Sequence, residues 1–308
     1  MNRMPLRTAL ALCLACATAP LARAADSTAT ASPVTVTGAV TGIFSPMSDL
    51  GDGQAEWSAV TLSGNVKRQF VPAFSAGLAL AYHEEYWAFR SPSGASSYWG
   101  EFVRPSVALN FTLALSRTVV LGLSPGAEWP SAPQATAADA FTYGAVFSAL
   151  KVFSPKFVFG GGVSAYRQFY NVKTSPFVII NWRLTDRLRI ANALPAGPEG
   201  GAGVELRYAP DARWEFAAGG VSRGARFRLA PTVYGAAAGQ TAREIGETQT
   251  IPLFARVSRS IGERTKADLY AGGLFRGSLR VKDSGGHDIE SAEWGPAPAF
   301  ALTLSGKF

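Results

Sequence analysis

A closed, membrane-spanning antiparallel β-barrel of about 14 strands is the fold this sequence predicts. Three observations carry that expectation: apolar and polar side chains alternate with a period of two as far as the last residue, tight connections alternate with longer ones, and the N-terminus reads as a secretory leader. Composition agrees. Of 308 residues, 47% are hydrophobic, 17% charged and 11% aromatic, too apolar for a disordered chain. Two cysteines and two histidines leave almost no material for a disulfide scaffold or a His/Cys metal centre.

The leader spans residues 1–24. Arg3 and Arg7 supply the positive start, Ala9 to Leu21 is an apolar run too short for a normal helical span, and Ala22-Arg23-Ala24 is a small-x-small cleavage site. Cys13 and Cys16 both lie inside it, so the mature chain is expected to contain no cysteine. A lipid on Cys16 is the poorer reading, because Cys13 stands three positions before it. Cleavage removes Arg3, Arg7 and Arg23 from 29 basic residues and leaves 26 against 22 acidic, a charge of +4. That is too mild to point to nucleic acid. Residues 25–32 form a flexible lead-in, and the barrel occupies 33–308.

The clearest alternation lies between Val103 and Leu115. Val103, Val107, Leu109, Phe111, Leu113 and Leu115 share one face, and Arg104, Ser106, Asn110 and Thr112 share the other. Strands of this kind are expected at 33–44, 55–68, 72–89, 101–115, 118–129, 139–152 and 157–170. The second half adds 175–184, 187–195, 201–209, 213–229, 246–261, 265–281 and 297–308. The pair 187–195 and 201–209 is the weakest, and losing it would leave about 12 strands. Connections after even-numbered strands are tight, such as Ser116-Arg117 and Thr185-Asp186. Those after odd-numbered strands are mostly longer, and the longest, Ala230 to Ile245 and Lys282 to Pro296, are candidates for gating or recognition. Short turns on one side and long loops on the other are the transmembrane-barrel pattern, and an even count returns both ends to the periplasm.

Tryptophans fall where interfacial girdles are expected. Trp57, Trp87, Trp99, Trp129 and Trp294 lie near outer strand ends, Trp182 and Trp214 near periplasmic ends. Apolar positions in 213–229 change parity after Trp214 and Phe216, which predicts a bulge at Gly219-Gly220. The last strand carries Phe300, Leu302, Leu304, Gly306 and the terminal Phe308, and it resembles the assembly signal of bacterial outer-membrane barrels.

In this frame the lumen is lined by Arg104, Arg183, Arg189, Arg207, Arg256, Lys266, Arg276 and Arg280, against Glu128, Glu205 and Asp268. Excess basic groups predict a water-filled passage with mild anion preference. The alternative is a closed surface barrel whose charges pair across a narrow interior, and a third reading is a membrane-embedded lipid-modifying enzyme. His83 shares the inward parity of Ser75 and Ala81 and stands beside Glu84 and Glu85, the one place for a general base. No nucleophile spacing accompanies it, and His287 reads as a solvated hairpin tip, so catalysis is not expected. Asp49, Asp52 and Glu56 lack calcium-loop spacing. The expected partners are the bilayer, lipopolysaccharide, the outer-membrane assembly machinery and small solutes, with no cofactor. Monomer and trimer stay open.

The last third carries a further pattern: Thr250-Ile251-Pro252-Leu253-Phe254, Val257 to Ile261, Ala271-Gly272-Gly273-Leu274, Gly277 to Val281, and Pro296 to Phe300 leading to Phe308. This succession resembles a family of bacterial outer-membrane barrel proteins known only as a domain of unknown function. The resemblance implies a porin-like barrel in a Gram-negative outer membrane, and it supplies no substrate and no functional residues.

Overall fold

The computed structural model describes residues 34–90, 99–192, 202–230 and 244–308. The leader, the lead-in and most of the connection Ala230 to Ile245 lie outside the described residues.

Alternating side chains become β-strands because one face meets hydrocarbon and the other the interior. The first seven are β1 (Val34–Leu50), β2 (Gly53–Val71), β3 (Phe74–Arg90), β4 (Glu101–Ala114), β5 (Val119–Glu128), β6 (Thr142–Ser154) and β7 (Phe157–Gln168). Then follow β8 (Asn171–Arg183), β9 (Leu188–Ala191), β10 (Ala202–Tyr208), β11 (Trp214–Arg228), β12 (Ile245–Ile261) and β13 (Thr265–Lys282). The final pair is β14 (Asp288–Trp294) and β15 (Ala297–Lys307). These two are halves of one stave. β14 continues the register of β15 against both β1 and β13, with Leu50↔Trp294 following Phe44↔Phe300 and Gly277↔Trp294 following Leu274↔Ala297. The sheet therefore has 14 staves, each antiparallel to its neighbours, and β15 closes it on β1 from Thr37↔Lys307 to Phe44↔Phe300. β9 and β10 are separate staves paired from Leu188↔Tyr208 to Ala191↔Glu205, which rules out the smaller count. Closure leaves no unpaired edge, the condition for a sheet in lipid.

The exterior is the apolar belt the alternation predicts. Leu78, Leu80, Leu109, Leu113, Leu302 and Leu304 are exposed around the cylinder. Above Tyr82 and Leu253 the outward positions become Glu84, Tyr86 and Gln249, so the belt ends there. Several strands run far past it: β1, β3 and β12 have 17 residues, β13 has 18 and β2 has 19, against about 9–11 needed to cross. The barrel thus carries a tall outer extension on one side.

That extension corrects two expectations about loops. β1 and β2 are joined by a tight hairpin of Gly51 and Asp52, with Gly51 at φ +53°, which glycine adopts without strain. Lys282 to Pro296 is not one long loop: β14 occupies most of it, and only residues 283–287 turn. The connection 129–141 is irregular, with one helical turn, α1 (Ala137–Ala140), where a strand from 139 was expected.

The predicted bulge at Gly219-Gly220 is absent. β11 keeps one register with β10 from Ala202↔Ser222 to Tyr208↔Phe216, and one with β12 on both sides of a gap. The bulge lies in β13, where Arg276 takes φ +51° and the pairing with β12 shifts between Gln249 and Ile251.

Candidate functional site in the barrel lumen

The interior is organised in three levels: an aromatic cluster at the outer end, a cavity below it, and a charged network toward the periplasmic end.

The aromatic cluster contains four of the tryptophans expected at the lipid interface. Trp57 (2% exposed), Trp87 (7%), Trp99 (2%) and Trp294 (3%) point inward. Trp294 meets Trp57 and Trp87 edge-on, the latter with centroids 5.1 Å apart, Trp99 meets Trp87 in the same way, and Leu50, Leu274, Leu279 and Val281 fill in around them. An outer girdle of these residues is therefore overturned. Trp182 (44%) and Trp214 (37%) are exposed at the other end, as a periplasmic girdle requires. Phe227 of β11 stacks on Phe102 of β4 at 3.9 Å, and β4 and β11 are seven staves apart in either direction around the ring. This contact spans the diameter. Above it the connection 129–141 joins the same two staves. Ser131 bridges Val103 in β4 and Arg228 in β11, and the Arg228 guanidinium donates to the Asp139 carbonyl at 3.1 Å.

Beneath the cluster lies a polar constellation centred on Glu85. Its carboxylate accepts from the Trp57 indole N–H at 2.8 Å, from the Trp87 indole N–H at 3.2 Å, and from His83 Nε2 at 2.7 Å. A carboxylate only accepts, so Nε2 carries the proton, and His83 Nδ1 meets the Thr61 hydroxyl at 2.7 Å. Arg223 of β11 completes the set through an ion pair with Glu85, its guanidinium 4.3 Å above the Trp57 ring. His83 and Glu85 are buried, and the Thr61 hydroxyl, Trp57, Trp87 and Arg223 engage them.

A cavity of about 510 Å³ opens below this constellation. His83, Arg104, Glu128 and Arg223 line its polar end, and Ile43, Val221, Pro252, Phe254, Leu274 and Ala299 line its body. Arg104 lies beside His83 across the β3–β4 ladder and within electrostatic reach of Glu128 and Glu85. On one side of the cavity the wall lacks two rungs. The β11–β12 ladder passes from Gly220↔Leu253 to Arg223↔Thr250, leaving out Val221, Ser222, Ile251 and Pro252. Pro252 has no N–H to give a rung.

The third level is an ion network along staves β9 to β13. Arg256 pairs with Glu205 at 2.8 Å, Glu215 at 3.0 Å and Asp268 at 3.1 Å, and bonds the Ser258 hydroxyl. Arg189 joins through Glu215 at 2.7 Å, Arg207 through Glu205, and Lys266 through Asp268 at 3.3 Å. Such pairs remain net favourable out of water only when hydrogen bonds satisfy the leftover groups, which Ser258 and Asn192 do here.

The structure thus brings Arg189, Glu205, Arg207, Arg256, Lys266 and Asp268 together, and sets Arg104 and Glu128 on the cavity. Arg183 is exposed at the periplasmic end of β8, opposite Arg189. Arg276 and Arg280 are exposed and stand apart from the lumen groups, because the bulge at Arg276 inverts parity and turns Leu279 and Val281 inward instead. Phe300, Leu302, Leu304 and Phe308 are exposed on the outer face of β15, and the Phe308 N–H donates to the Val36 carbonyl at 2.8 Å. Gly306 pairs with Gly38 in the closing seam. The sequence marks Glu85 only as a neighbour of His83 and does not single out Glu215 or Arg223, although their parity with His83, Ala217 and Val221 sets all three inward. His287 is at a hairpin tip, bonded to Asp283 at 3.0 Å. Among the described residues, no group of three or more His, Cys, Asp or Glu side chains is placed to hold a metal ion, the acids near Gly51 included.

No protein-family profile and no curated protein sequence matches the chain. The resemblance drawn from Thr250 to Phe308 therefore reaches as far as the barrel and no further. Solved structures with a similar barrel include an outer membrane channel from Pseudomonas putida F1, at 11% identity over 91% of this chain and 97% of that one, TM-score 0.48. Others are the P. putida toluene transporter TodX, at 9% identity over 94% and 93%, TM-score 0.46, and LpxR from Salmonella typhimurium, at 8% identity over 88% and 99%, TM-score 0.37. The likeness is one of architecture. A closed 14-stave cylinder with an apolar belt is an outer-membrane β-barrel.

Proposed function

We propose that the protein is a passive channel for small solutes that rests closed, with a mild preference for anions. One observation carries the reading: a cavity of about 510 Å³ inside a sealed cylinder, with the outer way to it filled by side chains. A concave, mostly apolar space with a few convergent polar groups is the usual form of a small-molecule site. Arg104 and Arg223 put two guanidinium groups on the cavity surface against Glu128, with Glu85 set behind Arg223, and this cationic lining supports the anion preference. Removal of the leader and recognition of the Phe308 strand by the assembly machinery belong to the same proposal.

The test is reconstitution. Purified folded protein in planar bilayers under a salt gradient is expected to give rare openings with an anion-biased reversal potential, and Phe227→Ala is expected to make them frequent. If both proteins stay silent in every verified folded preparation, the barrel is a closed structural one.

A further inference from the structure

We propose that the 510 Å³ cavity is a binding site for a small monocarboxylate with a compact apolar body, held through Arg223. The inference rests on the channel reading and names the class of solute. Four features support it. The cavity surface presents two guanidinium groups, Arg104 and Arg223, against one surface carboxylate, Glu128, while Glu85 pairs with Arg223 from behind the wall. Glu85, the partner of Arg223, is buried and does not line the cavity. That carboxylate is also held by Trp57, Trp87 and His83, so an arriving anion can share the guanidinium with it, using N–H groups that Glu85 leaves over. The stack of Arg223 on Trp57 keeps the guanidinium plane fixed while it is shared.

The rest of the wall selects the body of the ligand. Ile43, Val221, Pro252, Phe254, Leu274 and Ala299 offer apolar surface, and the volume suits a molecule of one ring or a short chain. A bare anion such as acetate leaves that surface wet. A neutral molecule of the same shape leaves the charge on Arg223 with no new partner.

Isothermal titration of the folded protein in an uncharged detergent tests this with benzoate, benzamide and acetate. Benzoate is expected to bind about tenfold or more tighter than either, the worth of one charge-assisted contact. Arg223→Gln is expected to lower benzoate affinity by a similar factor, and Arg280→Gln, which lies away from the cavity, to leave it unchanged. Equal binding of benzamide, equal binding of acetate, or unaltered benzoate binding by Arg223→Gln overturns the proposal. Should Arg223→Gln fail to fold, the comparison of the three compounds on the unmodified protein decides alone. Conductance of the same preparation separates the two readings. Channel steps without benzoate binding sink only the ligand assignment. Benzoate binding by a protein that never conducts, even as Phe227→Ala, removes the channel and leaves the site.

Discussion

The two ends of the lumen are built from opposite chemistries, and they connect different parts of the sheet. The periplasmic network around Arg256 runs along five neighbouring staves, from Arg189 in β9 to Lys266 and Asp268 in β13. It stitches one wall. The outer cluster instead joins opposite walls: Phe227 meets Phe102 across the diameter, and Arg223 of β11 reaches Glu85 of β3. Directional ion pairs suit a wall, where partners are fixed by the ladder. Apolar rings suit a plug, because they fill volume and can part without leaving buried charge. The comparison teaches that position in the ring, more than residue type, separates a strut from a gate.

The sharpest way to break that distinction is to damage each end in turn. Arg256→Met leaves Glu205, Glu215 and Asp268 without their shared cation and is expected to cost about 3–5 kcal/mol. Urea unfolding followed by gel mobility would show it, and conductance should not rise. A large rise would mean that the network also blocks the path. Phe227→Ala removes a comparable amount, about 3–5 kcal/mol by the usual cost of truncating a buried ring, but here the lumen opens. Liposome swelling with small sugars and acids is expected to speed up several-fold, and unchanged swelling would return the gate to some other segment. Trp57→Phe takes one indole N–H from Glu85 and costs about 1–3 kcal/mol. Its tryptophan emission and urea midpoint would both shift, with a smaller gain in swelling than Phe227→Ala.

The smallest effect lies at the hairpin tip 283–287. Backbone N–H of His287, the His287 ring and the backbone N–H of Gly285 hold the Asp283 carboxyl below its usual range. A lowered carboxylate value means that this turn is supported above the ordinary range of an aspartate and loosens as pH falls through the lowered one. Amide exchange at Gly286 and His287 should therefore quicken below about pH 4 once corrected for intrinsic rates. Asp283→Asn should remove the dependence, and a flat profile in the unmodified protein would refute it.

Much of the cylinder is written openly in the chain. Outward Leu109 and Leu113, inward His83 and Arg256, and the closing strand to Phe308 all follow from a period of two, because lipid enforces it on every stave. The lumen was harder to read. Tryptophan near a strand end suits an interface as well as a plug, and only the parity shared by Trp87, Glu85 and His83 tells them apart. Arg276 and Arg280 misled for a local reason: one left-handed residue, invisible in residue type apart from the adjacent Gly277, inverts every position that follows. Contacts across the diameter leave no trace in local sequence at all, since Phe102 and Phe227 are 125 positions apart (227 less 102).

The seam between β1 and β15 also orders events in time. Its two halves are the first and the last of the described strands in chain order, so no sheet that lacks the final stave can be sealed. Every shorter sheet carries two sticky margins, and only the final dozen or so residues can remove both at once.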